Sequence, residues 1–414
     1  MGRRGTRAKL AAVVTALALA AVLPAAAQAA PSAATRDVVM VGNNWDGTAD
    51  VLDGHTFKRL MRLNIVPDLA ERMAEIQRDP VRLGYFLAIR QEIGEGHDQF
   101  VDDIFTSPDG RFAYVSRPSL ADVVAFDLAT KKIVWRVRVD GQRSDHMAIS
   151  ADGRRLLVSA STARVVDVID TAKGEIVARI DSGDSPHESN FSKDGTKIFH
   201  ASIGNVWTPL DDPSLDATKG DRWFEIVDAN TYKVLKRLDM GQILKQYGFP
   251  DMSSAVRPMA LSPDERFVYF QVSFFHGFVE FDLEREQPTR LAMLPVSEEA
   301  QKLRRDEYVL DSAHHGLAMN PAGTKLCVAG TMSNYAAVVD RATFAPTIAA
   351  HGQRPYWATN SIDGKHCLVS FSGDDRVGVI SYATGKEVDS VPVGDHPQRM
   401  RTGRIVASYL PDGA

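Results

Sequence analysis

Five histidines, His146, His187, His314, His315 and His396, stand a few residues ahead of a short turn or at the equivalent place near the end of the chain. His97 lies just upstream of another such place, where Asp102 and Asp103 precede the next turn. Imidazole titrates near neutral pH, and its neutral form is a transition-metal ligand, so grouped histidines point to a metal or to general acid and base work. His97, His146, His187, His314, His315 and His396 are the candidate metal ligands, and an imidazole-rich set suits copper. His187, His315, Glu188 and Arg257 are the candidate catalytic residues. Asp102, Asp145, Arg354, Arg399 and Tyr356 are the candidate ligand contacts. Two other readings stand beside the metal. One is a metal-free pocket in which Arg257, Arg354 and Arg399 anchor a carboxylate or phosphate. In the other the imidazoles bond the backbone of a neighbouring repeat and serve structure alone.

These positions recur because the chain repeats. Turn signals appear at Ser107-Pro108-Asp109-Gly110, Ala151-Asp152-Gly153, Lys193-Asp194-Gly195, Ser262-Pro263-Asp264-Glu265, Pro321-Ala322-Gly323 and Ile362-Asp363-Gly364. Each is followed by an aromatic and β-branched run such as Phe112 to Val115 or Phe267 to Phe270. A third run ends at Asp127, Asp170, Asp228, Asp282, Asp340 or Ser381, and a further turn leads into a fourth. Four antiparallel strands in a repeat of about 42 residues make a propeller blade. Six blades begin near Phe100, Asp145, His187, Arg257, His315 and Tyr356. A seventh is assembled from Val38–Gly42, Ala49–Leu52 and Arg59–Ile65 with an inner strand after His396, which closes the ring without a free edge. The expectation is an all-β, seven-bladed β-propeller with four-stranded blades, closed by its N- and C-terminal segments.

The Ser-Pro-Asp-Gly turn, the Tyr114-Val115-Ser116 strand and the Val166-Asp167-Val168-Ile169-Asp170 strand resemble those of YVTN-type, YncE-like propellers, relatives of the cytochrome d1-haem-domain and lactonase-like propellers. The resemblance spans about residues 37–405 and implies the fold, while such propellers include enzymes, electron-transfer subunits, copper proteins and binding modules. Propellers resembling nitrous oxide reductase and thiocyanate dehydrogenase carry histidine-ligated copper at the channel mouth, where the histidines of this chain are expected.

Insertions at about 67–96, 204–223, 240–255 and 296–313 all map to one face, with helices expected in the first and around Glu298 to Tyr308. That face is where binding and catalysis are expected, since loops on a rigid scaffold carry function. His55, His200, His276, His351 and His366 read as structural or solvated, His276 being the exception to watch beside Phe274 and Phe275. Asp211, Asp212 and Asp216 lack the glycine and terminal glutamate of a calcium loop. Serine-hydrolase and covalent c-type haem motifs are missing.

A net charge of −5 with no basic run after the leader argues against a nucleic-acid partner. Residues 1–30 read as a signal peptide: Arg3, Arg4, Arg7 and Lys9, an apolar stretch from Leu10 to Leu23, and Ala27-Gln28-Ala29 before the cut. Residues 31–414 then form a single propeller domain outside the cytoplasm, secreted or in the cell envelope, with no later stretch of membrane-spanning length. Cys327 and Cys367 fall one position out of register in neighbouring repeats, so strand alternation turns them to opposite faces. Buried free thiols are expected, with a disulfide as the alternative.

Two functions fit these residues. The first is an extracytoplasmic enzyme with its site at the channel mouth, of oxidoreductase or lyase and lactonase-like type, acting on a small molecule. The second is a non-catalytic propeller that presents its insertion face to a protein or cell-wall partner. The leader has its own test: N-terminal sequencing of the chain recovered outside the cytoplasm should start near Ala30, and an intact Met1 there would refute cleavage.

Overall fold

Every blade whose four strands are consecutive in the chain is pinned at the same turn. In a Ser-x-Asp-Gly turn the serine hydroxyl donates to the aspartate at 2.6 Å (Ser107 to Asp109, Ser150 to Asp152, Ser192 to Asp194) and accepts the N–H that opens the next strand. Asn320 takes the serine's place in one blade. Glycine follows because the backbone is left-handed there: Gly110 has φ of 72°, and a Cβ on it would meet the Ile405 backbone at 2.9 Å. In several blades the second turn is an aspartate that accepts from a threonine N–H and hydroxyl, as Asp127 does from Thr130 and Asp340 from Thr343. Asp53 and Thr56 repeat it in the blade built from both ends of the chain.

In a computed structural model, the described residues are Met1, Gly2 and 34–411. The expected leader lies outside them apart from its first two residues. Seven four-stranded antiparallel sheets follow one another along the chain. Blade 1 is Thr35–Asn43, Thr48–Asp53 and Arg59–Asn64, with Pro397–Val406 as its innermost strand, paired from Thr35 against Val406 to Asn43 against Pro397. The inner strands of blades 2 to 7 are Ile104–Thr106, Ser144–Ile149, Pro186–Phe191, Val256–Leu261, Leu317–Met319 and Pro355–Asn360. The apolar core is divided into seven clusters, each lying between two neighbouring blades. Blades 7 and 1 are joined by Val39, Val41 and Leu52 against Trp357, Leu368 and Val379, so the closure between the chain ends is packed like any other seam.

The insertions form α1 (Leu69–Gln77) and α2 (Pro80–Glu92), a 3-10 turn at Pro213–Lys219, and α3 (Met240–Gln246). Helix α2 starts on Pro80 with Asp79 accepting from the Val81 and Arg82 N–H groups. The start of α1 is held by the fully buried Arg117, which forks between Asp68 at 2.6 Å and Asp122 at 2.8 Å. No helix forms over Glu298 to Tyr308, contrary to expectation: the segment breaks into short 3-10 turns at Ala300–Lys302, Arg305–Glu307 and Val309–Asp311. Its local helical preference yields to tertiary anchors, Arg305 over the Phe274 ring at 4.8 Å and the Tyr308 hydroxyl on His276 at 2.9 Å.

The expectation of free thiols is also corrected, because Cys327 and Cys367 are joined in a disulfide. They belong to neighbouring blades, which pack face against face. Side chains that point to opposite faces of their own sheets therefore meet in the seam between them, in the cluster with Ala329, Val338, Val369 and Phe371. The bond closes a loop of sequence separation 40, for which chain entropy stabilises the native state by about 2–4 kcal/mol. Cys327→Ala with Cys367→Ala should lower the unfolding free energy by that amount in denaturant titration, and the same midpoint with and without the bond would refute it.

Candidate functional site

The start of every inner strand carries one residue too many. Between Ser144 and Met147 three steps face two on the partner strand, and the same excess occurs between Pro186 and Ser189 and between Val256 and Met259. It recurs between Pro355 and Trp357, and in the last strand between Pro397 and Met400. In blade 2 Asp102 and Asp103 both bond Ser116, and in blade 6 His315 and Gly316 both bond Ala329. A bulge of this kind bends the strand and re-aims its side chains. Here the bulged residues are Asp102 and Asp103, Asp145 and His146, His187 and Glu188, Arg257, His315, Tyr356, and Gln398 with Arg399.

Three of these imidazoles converge. His146, His187 and His315 are buried, and one nitrogen from each lies within 4.8 Å of the other two. Ring centroids are 3.8 Å apart for His146 and His187 and 5.5 Å for His187 and His315. Burial, and then the positive charge of the nearby arginines and partner rings, holds all three well below the usual imidazole range, so they are neutral at physiological pH. Their partners select tautomers. His315 Nδ1 donates to the Tyr356 carbonyl at 3.1 Å, leaving Nε2 as a bare lone pair, buried and without a partner. His146 Nε2 accepts from the Arg399 guanidinium, which can only donate. His315, donating from one nitrogen with the other lone pair free, is held as metal-binding histidines are, whereas the His146 lone pair is taken by Arg399 and becomes available only if that guanidinium turns away.

Arg399 bridges that triad to Asp102, and also reaches Gln398 Oε1 at 3.2 Å while lying over the Trp357 ring. Burial pushes the Asp102 carboxyl up to about 7 against the pull of Arg399. Arg143 pairs with Asp145 at 2.5 Å and is braced by Gln99. Tyr356 stacks on His315 with centroids 4.0 Å apart. Above this floor lies a cavity of about 430 Å³ lined by His187, Arg257, Tyr356, Arg399, Asp102 and Asp145. Its walls are the insertions: Tyr85, Ile89 and Ile93 of α2 and the segment following, Val206 and Trp207 after blade 4's second strand, and Leu310. The remaining insertion, 240–255, packs beside them, its Asp251 carbonyl accepting from Arg305.

Other predicted residues are placed elsewhere. His97 and His396 sandwich the Trp45 indole, at 3.9 and 3.7 Å, and do not join the triad. His314 faces Tyr335 and His276 instead. Arg354 is ion-paired with Glu95. Glu188 lines a second depression with Met259, Trp357 and Arg401 and accepts the Met259 N–H at 2.8 Å and the Asn190 amide at 3.1 Å, clasping blade 4 to blade 5. Arg143, Gln99 and Arg401 escaped the sequence reading. Arg401 forks onto Asp103 at 2.9 and 2.7 Å, and its spacing of two from Arg399 was the available signal.

No protein-family model matches the chain, and no curated protein matches it by sequence. Among solved structures it is similar to Kuenenia stuttgartiensis hydrazine synthase, with a TM-score of 0.56 and 16% identity over 82% of this chain and 94% of that one. It is also similar to dihydro-heme d1 dehydrogenase NirN in complex with DHE, with a TM-score of 0.52 and 15% identity over 90% of this chain and 76% of that one. At these identities the likeness is one of fold, a propeller that enzymes also use.

Glu188 offers a pH test of this geometry. Burial raises its carboxyl from 4.5 to about 7. Protonated Glu188 therefore favours the native state fully below its unfolded value, and that advantage is lost as pH rises through about 7. Glu188→Gln, which keeps the neutral form, should gain up to about 3 kcal/mol over the parent near pH 8.5 and nothing near pH 5 in calorimetry. A pH-independent difference would assign the effect to packing.

Proposed function

We propose that the protein is an extracytoplasmic enzyme whose channel-mouth cavity binds a transition-metal ion through His146, His187 and His315 and acts there on a small molecule. The observation that carries this reading is the convergence of three buried, neutral imidazoles, with the His315 lone pair left unsatisfied. A lone pair buried without a partner costs about 1–3 kcal/mol unless something accepts it, and a cation does so. Three protein ligands with a cavity beside them match a catalytic site better than a closed structural one. An all-imidazole set favours copper by the order of divalent affinities, with zinc next to it, and copper makes the oxidoreductase class the leading one. Such an ion, when bound, would supply Lewis acidity or electron transfer at the cavity floor.

The chain's own residues do the rest. Arg399 donates to the His146 lone pair in the metal-free site and would yield it on metal binding, keeping its bond to Asp102. Asp102, held up to about 7 and bonded to the same guanidinium, can keep or release a proton at its free Oδ2 near neutral pH. Tyr356 holds His315 twice, by stacking and through its carbonyl. The insertions shut water away from the floor. The signal-peptide reading of residues 1–30 supports an oxidising location, and the interblade disulfide accords with it. Among the described residues no helix is long and apolar enough to cross a membrane. The finer YVTN-type assignment rests on the turn and strand motifs.

The mature chain, made without a histidine tag, incubated with copper or zinc and desalted, should retain about one equivalent of metal by elemental analysis. His187→Ala with His315→Ala should retain none and lose all metal-dependent turnover while circular dichroism stays native. Retention unchanged in that variant, or none in the parent, would refute the metal site.

A further inference from the structure

The floor of the cavity holds five buried charges, three arginines and two aspartates. Two arginines carry their own counter-ions: Arg143 with Asp145 and Arg399 with Asp102. The third does not. Arg257 is 1% exposed, and among the described residues it makes no ion pair. Its Nε donates to the Ser273 hydroxyl at 3.1 Å and its Nη2 to the Leu310 carbonyl, both neutral acceptors. The acid that acts on it most, Asp311, is already paired with Lys219 at 3.1 Å. A guanidinium cannot shed its proton to escape burial, so its charge stays. A buried cation without a counter-ion is expensive to keep, and the missing anion is then supplied by whatever enters the cavity.

The rest of the cavity narrows the class. Tyr85 and Ile89 of α2 and Trp207 give the same cavity an apolar lining, and Tyr85 and Trp207 are 43% and 51% exposed. Large apolar side chains left this open beside a cavity suit an apolar ligand body. The outer charges, Glu92, Arg164 and Asp184, stand at the more exposed edge, where Arg164 and Asp184 pair at 3.4 Å and water screens them. The unpaired Arg257 asks for an anion, and the planar guanidinium fork fits a carboxylate edge-on.

We infer that the cavity takes an aryl or alkyl carboxylate, with its carboxylate on Arg257 and its apolar body against α2 and Trp207. This names the substrate class of the site proposed above and rests on that site being the working one. It requires no metal for binding, so the two readings fail separately.

Isothermal titration of the metal-free mature chain with benzoate, phenylacetate and cinnamate, each beside its neutral amide, tests it. At least one acid should bind about tenfold or more tighter than its amide and tighter than inorganic phosphate. Arg257→Met should abolish that preference and Arg257→Lys should keep part of it, both checked for native circular dichroism. Acids and amides binding alike, or no acid binding, would overturn the inference. Phosphate binding tighter than every acid would overturn the carboxylate class. An acid preference persisting in folded Arg257→Met would overturn the role of Arg257. If that variant does not fold, the acid and amide comparison on the unmutated chain decides. Metal retention and acid preference measured on the unmutated chain separate the two readings: metal retained without an acid preference sinks this one alone, and an acid preference without retained metal sinks the metal site alone.

Discussion

A strand in a propeller blade would normally send alternate side chains into the two seams beside it, and few would reach the axis. The bulge that opens each inner strand breaks that alternation. Neighbours at a bulge, such as Asp102 and Asp103, then go to separate partners near the mouth, Asp102 to Arg399 and Asp103 to Arg401. The same irregularity frees backbone groups, and neighbouring blades take them up. Met147 N–H goes to Asp103, Met259 N–H to Glu188, and the His187 carbonyl accepts from Ser159. The Pro355 carbonyl accepts from Thr331 and the Pro397 carbonyl from Ser372. The geometry that delivers polar side chains to the mouth is therefore also what fastens one blade to the next.

This concentration of charge in a buried place sets a second constraint. Arg399, Asp102, Arg143, Asp145, Arg401 and Asp103 are all buried or nearly so, and each has an opposite charge within bonding distance. Such pairs roughly balance their own desolvation and add little net stability, yet losing one partner is severe. Stability must then come from the seams, where aliphatic and aromatic clusters run between every pair of blades. The floor of the mouth is a region the fold tolerates and the seams support. Arg257 fits this division as the floor arginine that, among the described residues, has no carboxylate in direct ion pair with it.

Most of the architecture was legible in the sequence because it is written in short local signals. A Ser-x-Asp-Gly turn needs only its own hydroxyl, carboxylate and glycine, so each copy announces a blade without help from distant residues. The closure of blade 1 by Pro397–Val406 was readable by the same count, as one blade lacked an inner strand. What depends on the relation between blades was not legible. Alternation within a strand puts Cys327 and Cys367 on opposite faces, and only the face-to-face packing of adjacent sheets turns that into a bond. The bulge let His187 reach the triad while its neighbour Glu188 turned to a blade clasp, a separation that spacing alone does not predict. His97, His314 and His396 share the residue type and the rim, but Trp45 and Tyr335 claimed them first.

Seven inner strands share one narrow axis, so seven sets of side chains cannot all meet there. The crowding is resolved by chemical kind. Blades 3, 4 and 6 send imidazoles to the centre, blade 5 sends an unpaired guanidinium, blade 7 a tyrosine that stacks on His315, and blades 2 and 1 an aspartate and the arginine that neutralises it. None of these side chains comes from an insertion, and the apolar walls come almost wholly from insertions. Floor and wall are thus set by separate parts of the sequence: the floor by residues whose substitution disturbs the ring itself, the wall by segments joined to it only at their ends. The wall can change without touching the buried charges of the floor, whereas a change in those charges must be matched by the blade next to it.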